Sequence, residues 1–186
     1  MLFRSFIERN PRSGEITKVD IDQIKSSRQF GKALERSITG WEGQDAPPFE
    51  LKAYDGKPVT SAQLAGHPHM VYFWFTNCPP CMKSGPMLVE LSNKYASQGF
   101  KVIGANADKV LELPYDDSVR AGYVRKLGIK FTTTMLTPQV QQAYGGVSVF
   151  PTMFFVDGGG TIVKHFVNLQ TKETLEAAIK LAMSSK

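Results

Sequence analysis

The pattern of apolar and polar residues changes most sharply near the middle of the chain. Met70 to Phe75 form an unbroken apolar and aromatic run, which is typical of a strand buried on both faces. Thr76 and Asn77 end this run, and from Met82 to Tyr95 apolar residues recur at three- and four-residue steps, which predicts a helix. The segment Cys78-Pro79-Pro80-Cys81 therefore lies where a buried strand leads into the N-terminus of a helix.

The same patterns predict strands and helices along the rest of the chain. Further strands are expected at about residues 49–51, around Val59, and at 101–105, 131–136, 152–156 and 161–167. Helical segments are expected at about 61–64, 79–97, 118–127, 138–144 and 171–183. Pro86 lies inside the second of them, where we expect a kink. Strands on either side of helices, followed by a closing hairpin and a helix, predict a three-layer α/β sandwich with a mixed sheet.

The first 40 residues carry the weakest pattern. Their beginning is polar, and we expect it to be a mobile lead-in. Apolar residues recur every four positions over about residues 27–38 and predict a short amphipathic helix that ends at Gly40. We therefore divide the chain into an N-terminal extension or stem, residues 1–40, and a domain, residues 41–186. The extension either packs on the domain or serves as a dimerisation or docking arm.

Composition limits the class of protein. With 186 residues and 42% hydrophobic content, the chain suits one compact domain with some additional sequence. The formal net charge of +5 is spread along the chain, and no block of Lys and Arg indicates nucleic acid or a membrane surface as a partner. No apolar run reaches the roughly 18 residues of a membrane span. The first ten residues are too polar for a signal peptide, so the chain is either cytoplasmic or a mature or trimmed form.

Both cysteines of the chain, Cys78 and Cys81, belong to one CxxC motif. At a helix N-terminus the unpaired backbone N–H groups and the helix dipole favour an anion, so we expect Cys78 to ionise more easily than a free thiol. The thiolate is the nucleophile in thiol–disulfide exchange, which favours a redox function. A structural zinc site usually takes four Cys or His ligands, and the sequence offers no second cysteine pair, so we expect no bound metal.

Other residues at characteristic spacings accompany the CxxC motif. They are Ala46-Pro47 with Phe49 and Leu51, Asp55-Gly56-Lys57 with Val59, Leu64 with Gly66, Phe73-Trp74, Pro86, Ala143-Tyr144-Gly145 and Phe150-Pro151-Thr152. In this set the chain from Gly43 to about Met183 resembles the thioredoxin superfamily, and within it the extracytoplasmic branch typified by TlpA and ResA. The resemblance implies a thioredoxin-like three-layer α/β/α sandwich. It also implies a thiol-disulfide oxidoreductase whose redox centre is a Cys78–Cys81 disulfide and which uses no cofactor.

The resemblance also implies a role for each matching residue. Cys78 matches the exposed attacking cysteine of the family, and Cys81 matches the buried resolving cysteine. Pro151 matches a cis-proline that lets the preceding residue, Phe150, pair with a substrate strand, although an ordinary trans turn proline remains an alternative. Trp74 matches a residue packed beneath the active site, which a plain core aromatic would also explain. The expected supporting positions around the motif are Asn77, Pro79 and Pro80.

The chain lacks the charged residues that the family carries near its cysteines. Thioredoxins carry a buried Asp six residues before the first cysteine, and here that residue is Tyr72; a family Lys aligns near Gly104. Many relatives carry a Glu three residues after the second cysteine, and here that residue is Ser84. The nearest downstream acid is Glu90, whose facing the sequence leaves open. We therefore expect the Cys81 thiol to stay protonated well above neutral pH, and mixed disulfides to resolve slowly near neutrality.

The spacer between the cysteines bears on the direction of electron flow. Pro79 and Pro80 stiffen the turn and remove two backbone donors that could otherwise stabilise a thiolate at Cys78. This makes the Cys78 thiol harder to ionise than in a motif whose spacer has free N–H groups. We therefore expect a moderate reductant rather than a strong oxidant.

A compartment and partners are also implied by the resemblance. Proteins of this branch work in the bacterial periplasm or on the outer face of the membrane, usually held by an N-terminal anchor. Residues 1–40 would then be the stem after a removed signal or anchor, and that anchor would be the only contact with the membrane. The expected partners are a protein disulfide, for instance in an apocytochrome or another secreted protein, and a membrane or soluble thiol that donates electrons. No nucleic acid is expected as a partner.

Two other functions of the same fold remain open. The first is a copper-binding or metal-delivery module, because several soft or borderline ligands are present. These candidate ligands are Cys78, Cys81, Met82, His67, His69 and His165. The second is a thioredoxin-like adaptor whose CxxC motif is idle. A peroxidase of the peroxiredoxin kind is disfavoured, because it needs a Thr where this chain has Phe75.

Overall fold

A computed structural model describes residues 7–9, 16–19 and 40–185 of the chain. Two short strands near the N-terminus, β1 (Ile7–Arg9) and β2 (Ile16–Val19), pair with each other in an antiparallel manner. The other strands join one mixed sheet. They are β3 (Glu50–Ala53), β4 (Pro58–Thr60), β5 (His69–Trp74), β6 (Lys101–Asn106), β7 (Thr132–Met135), β8 (Thr152–Val156) and β9 (Ile162–Val167).

The large sheet has the strand order β4-β3-β7-β6-β5-β8-β9. Strands β5, β6 and β7 run parallel, whereas β8 is antiparallel to β5 and to β9, and β3 is antiparallel to β4 and to β7. All six residues of β5 are buried, as its unbroken apolar run predicts. Because β5 and β6 run parallel, the segments that follow them emerge at the same edge of the sheet.

Four helices and one 3-10 turn accompany the sheet in the domain that the structure describes. They are the 3-10 turn Ser61–Leu64, α1 (Pro79–Ala96), α2 (Asp117–Lys126), α3 (Pro138–Ala143) and α4 (Lys172–Ser184). Helix α1 continues through Pro86. It lies beside α4, where Lys94 Nζ is 2.6 Å from the carboxylate of Glu176.

The side chains of β5 alternate between the two faces of the sheet. Tyr72 hydrogen-bonds to Ser84 of α1, and Trp74 stacks on a ring of α2. Phe73 points to the opposite face, where its ring centroid lies 5.2 Å from that of Tyr144, which ends α3. Helices therefore cover both faces, which confirms the predicted three-layer α/β/α sandwich.

A short segment before β3 covers the start of the edge strand β9. The backbone of Gly43 donates to the Ile162 carbonyl at 2.8 Å, and Ile162 donates to the Gln44 carbonyl at 2.8 Å. Beside this pairing, Lys164 of β9 forms an ion pair with Glu42 at 2.9 Å. These contacts fix the entry of the chain into the domain.

Within the domain, every predicted strand and helix lies within a few residues of an observed one. The N-terminal region was predicted less well, because the pairing of β1 with β2 was not expected in a polar lead-in. The helix predicted over about residues 27–38 lies outside the described residues, and the division at residue 40 stays a prediction. Among the described residues, no helix combines the length and apolar composition needed to cross a bilayer.

Candidate active site

The two cysteines lie at the junction of β5 and α1, where the sequence placed them. A disulfide bond joins Cys78 and Cys81, whose Cα atoms are 5.1 Å apart. Cys78 is the N-cap of α1, and its Sγ accepts the backbone N–H of Cys81 at 3.3 Å. Pro79 and Pro80 begin the helix without N–H groups, so the N–H of Cys81 is the first in the helix available to a sulfur.

Burial does not separate the two cysteines in the way the resemblance implied. Cys78 and Cys81 are each 1% exposed, so the expected exposure of Cys78 is wrong for this disulfide form. The physical reason is the capping geometry, which turns the sulfur of Cys78 back over the first turn of the helix. The exposed residues on either side of Cys78 are Asn77 and Pro79, and Pro80 is half-buried. What distinguishes the cysteines is position, since Cys78 caps the helix and Cys81 lies within its first turn.

The start of β8 contributes a second loop to the site. The peptide bond between Phe150 and Pro151 is cis, which confirms that part of the prediction. The next residue, Thr152, pairs with Phe73 of β5, so this loop lies beside the end of the strand that leads to the cysteines. The rings of Phe75 and Phe150 meet edge to face at 5.4 Å and connect the two loops. The roles of Phe150 and Pro151 toward a substrate stay a prediction.

Trp74, predicted to lie beneath the active site, is fully buried at the end of β5. Its ring stacks on Tyr123 of α2, with centroids 5.3 Å apart and planes 16° from parallel. Gly104 of β6 makes room for it, because a Cβ at Gly104 would lie 3.1 Å from Trp74 Nε1 and 3.0 Å from the ring of Phe131. Trp74 thus ties β5 to α2, and a supporting role toward the cysteines stays a prediction.

Beneath Cys81, two neutral side chains occupy the positions where the family resemblance implied acids. Tyr72 Oη lies 3.2 Å from Ser84 Oγ, and the Ser84 hydroxyl donates to the Cys81 carbonyl at 3.2 Å. Burial raises the pKa of Tyr72 far above its ordinary value, so this phenol stays neutral. Glu90, the other candidate relay, forms an ion pair with Lys172 of α4 and has a 60% exposed side chain. It therefore faces α4 and solvent.

A buried carboxylate that was not predicted lies close to the motif. Asp108 is 0% exposed and accepts two hydrogen bonds from Thr76, which lies two residues before Cys78. Arg120 of α2 pairs with it, with 3.6 Å between Nη1 and Oδ2. The available signal was the two polar residues Asn106 and Asp108 at the end of a buried parallel strand, at the edge of the sheet where the cysteines also lie.

The histidines proposed as copper ligands are not brought to the cysteines. His69 begins β5, at the opposite end of the strand, and its Nδ1 lies 2.8 Å from the His67 carbonyl oxygen. His165 lies on β9 with its ring centroid 4.4 Å from that of Phe154, and burial lowers the pKa of His165 to about 4. In the part of the chain that the structure describes, no cluster of three or more His, Cys, Asp or Glu residues could hold a metal ion.

The chain is similar to known thiol-disulfide oxidoreductases. A family model described as Redoxin matches residues 42–179. The thiol-disulfide oxidoreductase ResA of Bacillus thuringiensis (strain Al Hakam) is 33% identical over 138 residues, which are 74% of this chain and 76% of the relative. ResA of Bacillus subtilis (strain 168) is 28% identical over 141 residues, 75% of each chain.

Solved structures show the same fold. A thiol:disulfide interchange protein of the thioredoxin family from Chlorobium tepidum TLS is 29% identical and has a TM-score of 0.66, covering 77% of this chain and 99% of its own. The thioredoxin domain of a thiol-disulfide oxidoreductase from Bacteroides vulgatus has a TM-score of 0.65 at 21% identity, covering 78% of this chain and 100% of its own. At that identity the second structure supports the fold alone.

Proposed function

Because this chain belongs to the Redoxin family and is a ResA-like thiol-disulfide oxidoreductase of the thioredoxin superfamily, we propose that it reduces disulfides in extracytoplasmic proteins. The observation that carries the proposal is the Cys78–Cys81 disulfide at the N-terminus of α1. In this arrangement the capping sulfur receives a backbone N–H, and the second sulfur is within bonding distance of it.

The chemistry follows from that geometry. In the reduced protein, the Cys78 thiolate attacks one sulfur of a substrate disulfide, forms a mixed disulfide and releases the other substrate sulfur as a thiolate. The Cys81 thiolate then attacks Cys78 Sγ, which restores the Cys78–Cys81 disulfide and releases the second substrate thiol. Two electrons pass to the substrate in each cycle, and a thiol donor returns them. The dithiol is the only redox group in this scheme, and no cofactor or metal takes part.

The direction of electron flow is supported by the helix N-terminus. Of the first three residues of α1, only Cys81 has an N–H, and it donates to Cys78 Sγ. One donor stabilises a thiolate less than several would, so the reduced form is favoured only moderately. We therefore propose a reduction potential on the order of −220 to −300 mV, in the reducing half of the known range.

The likeness to ResA supports the compartment and the partners. We propose that the protein faces the outside of the cytoplasmic membrane, in the periplasm or its equivalent, with residues 1–40 as the stem of an anchor. Its substrates are disulfides of exported proteins, an apocytochrome among them, as in cytochrome c maturation. Its electron donor is a membrane or soluble thiol. An assay with an oxidised apocytochrome CxxCH peptide and with a generic disulfide of the same size would show whether the haem-binding motif is preferred.

Two experiments test the reductase proposal. Redox titration against glutathione gives the potential directly, and a value near the roughly −120 mV of strong oxidants would make this a disulfide-forming protein instead. Reduction of insulin by dithiothreitol should be faster with the protein than without it, and a chelator should leave that rate unchanged. Stoichiometric Cu(I) binding through His165, without disulfide activity, would contradict the proposal.

A trapping experiment tests the roles of the two cysteines. Cys81→Ser should accumulate a mixed disulfide with substrate, whereas Cys78→Ser should not, because only Cys78 is placed at the helix cap. In the reduced protein, low concentrations of iodoacetamide should label Cys78 first. Preferential labelling of Cys81 would reverse the assignment.

A further inference from the structure

A buried carboxylate holds the turn that leads into the CxxC motif. Asp108 follows β6, and its Oδ1 accepts the backbone N–H of Thr76 at 2.8 Å. Its Oδ2 accepts the hydroxyl of the same Thr76 at 2.7 Å. Thr76 is 1% exposed and lies two residues before Cys78. Both the backbone and the side chain of the first residue of the turn are therefore fixed by one carboxylate.

One contact within its own segment and one backbone contact with β5 hold Asp108 in place. The Asp108 N–H donates to Asn106 Oδ1 at 3.0 Å, and the Ala107 N–H donates to the Trp74 carbonyl at 2.7 Å. The segment after β6 is thus joined to the end of β5 at Trp74 and, through Asp108, to Thr76. The turn can shift only if the end of β6 shifts with it.

The residue between these fixed points has an unusual backbone. Asn77 has a φ of 60°, a left-handed conformation that costs free energy for any residue with a side chain and that Asn tolerates better than most. It lies between Thr76, held by Asp108, and Cys78, whose own N–H donates to the Phe75 carbonyl at 3.3 Å. The left-handed residue is therefore held from both sides.

The charge of Asp108 is balanced by Arg120. The guanidinium Nη1 lies 3.6 Å from Asp108 Oδ2, and the Arg120 side chain is 6% exposed. A buried carboxylate is unfavourable unless it is paired and hydrogen-bonded, and a buried ion pair as a whole adds little net stability. The effect of this arrangement is therefore on the geometry of the turn. Because Arg120 pairs with Asp108, the carboxylate beside the turn is not an unpaired anion.

We propose that Thr76 and Asp108 are positioning residues for Cys78 in thiol–disulfide exchange. By holding Thr76, the Asp108 carboxylate fixes the turn so that Cys78 caps α1 and its Sγ receives the N–H of Cys81. In the reduced protein that same N–H stabilises the Cys78 thiolate. The inference concerns the reactivity of Cys78 and does not depend on the direction of electron flow.

The test compares three threonine variants of the reduced protein. Thr76→Val removes the hydroxyl that donates to Asp108, Thr76→Ser keeps it, and Thr134→Val is a matched control. Thr134 is 0% exposed and donates its hydroxyl to the Gly104 carbonyl at 3.1 Å. The rate of Cys78 alkylation by iodoacetamide at pH 7 is measured for each protein by mass spectrometry of the peptides. We expect at least about a threefold loss in Thr76→Val and changes within about twofold in the other two.

Whether alkylation of Cys78 becomes slower or faster distinguishes loss of positioning from loss of structure. Loss of structure would expose both sulfurs and speed alkylation of Cys78 and Cys81, whereas loss of positioning slows alkylation of Cys78. An unchanged or faster rate in Thr76→Val would overturn the proposal. An equal loss in Thr134→Val would also overturn it, because any buried hydroxyl would then have the same effect.

Asp108→Asn provides a second test that does not depend on the folding of Thr76→Val. The amide can still accept the Thr76 N–H, and it can donate to the Thr76 hydroxyl, so both contacts with the turn are kept. The proposal therefore expects alkylation of Cys78 at least as fast as in the parent. A rate about threefold slower would assign the effect to the carboxylate charge and overturn the role of the contact.

Discussion

Each cysteine of the motif adjoins a buried polar pair, and the two pairs differ in charge. Beside Cys81, the Tyr72 phenol and the Ser84 hydroxyl are neutral, and they reach the motif through the Cys81 carbonyl. Before Cys78, the pair formed by Thr76 and Asp108 includes a carboxylate, which Arg120 balances. Buried charge therefore lies beside the turn before Cys78, while the two side chains that reach Cys81 through its carbonyl are neutral.

The contrast has a direct chemical meaning. A carboxylate beside the resolving thiol could accept its proton, but the neutral pair beside Cys81 cannot do so in the ordinary pH range, because burial raises the pKa of Tyr72. The carboxylate that is present accepts its hydrogen bonds from Thr76. Substitutions at Asp108, Glu90 and Tyr72 test this contrast.

The largest effect is expected where charge is buried. Asp108→Ala would leave Arg120 without its buried partner and the Thr76 N–H without an acceptor, so we expect the free energy of unfolding to fall by about 3–5 kcal/mol. Urea denaturation measures it. Asp117→Ala is the matched control, because Asp117 also pairs with Arg120, at 2.8 Å, but its side chain is 93% exposed. Equal stability of the two variants would show that burial of the Asp108 pair is not important.

A smaller effect is expected in the pH dependence of resolution. The attacking form of Cys81 is the thiolate, whose fraction rises with pH, so the rate of resolution should climb by up to about tenfold per pH unit until the thiol is ionised. Stopped-flow mixing of the reduced protein with oxidised glutathione isolates this step as the phase that is independent of glutathione concentration. Glu90→Gln should keep the climb, because Glu90 pairs with Lys172. A flatter profile in that variant would make Glu90 the missing base.

The smallest effect is expected at the neutral pair. Tyr72→Phe removes one buried hydrogen bond to Ser84, and we expect a loss of about 1 kcal/mol in the free energy of unfolding. The raised pKa of Tyr72 keeps the phenol protonated throughout the working range, so its removal takes away no titrating group. The pH climb of resolution should therefore be the same in Tyr72→Phe as in the parent. Loss of the climb would mean that the phenol handles the proton of Cys81.

Local pattern was sufficient for most of the fold and for the location of the motif. The apolar run of β5 and the helical spacing of α1 are properties of neighbouring residues, and so is the junction between them. The cis bond before Pro151 followed from resemblance, since nothing in the adjacent residues alone requires it. Features that depend on residues adjacent in the sequence could therefore be predicted.

Contacts between residues that are far apart in the sequence could not be predicted from local pattern. Thr76 and Asp108 are 32 positions apart, and their contact depends on the parallel register of β5 and β6, which no local pattern encodes. Glu90 is a similar case, because its direction depends on how α4 packs beside α1. The burial of Cys78 was not predicted for a different reason. The family resemblance implied an exposed sulfur, whereas the capping geometry at the helix N-terminus buries it.

The pairing of Gly43 and Gln44 with Ile162 has a consequence for association between molecules. An uncovered edge strand offers unpaired N–H and C=O groups on which a strand of another molecule can grow a continuous sheet. Here those groups at the start of β9 already bond within the chain, and Lys164 puts a charge on the same edge. To pair with the start of β9, a foreign strand would have to displace the entry segment and desolvate that lysine, so we expect this end of the edge to resist strand addition.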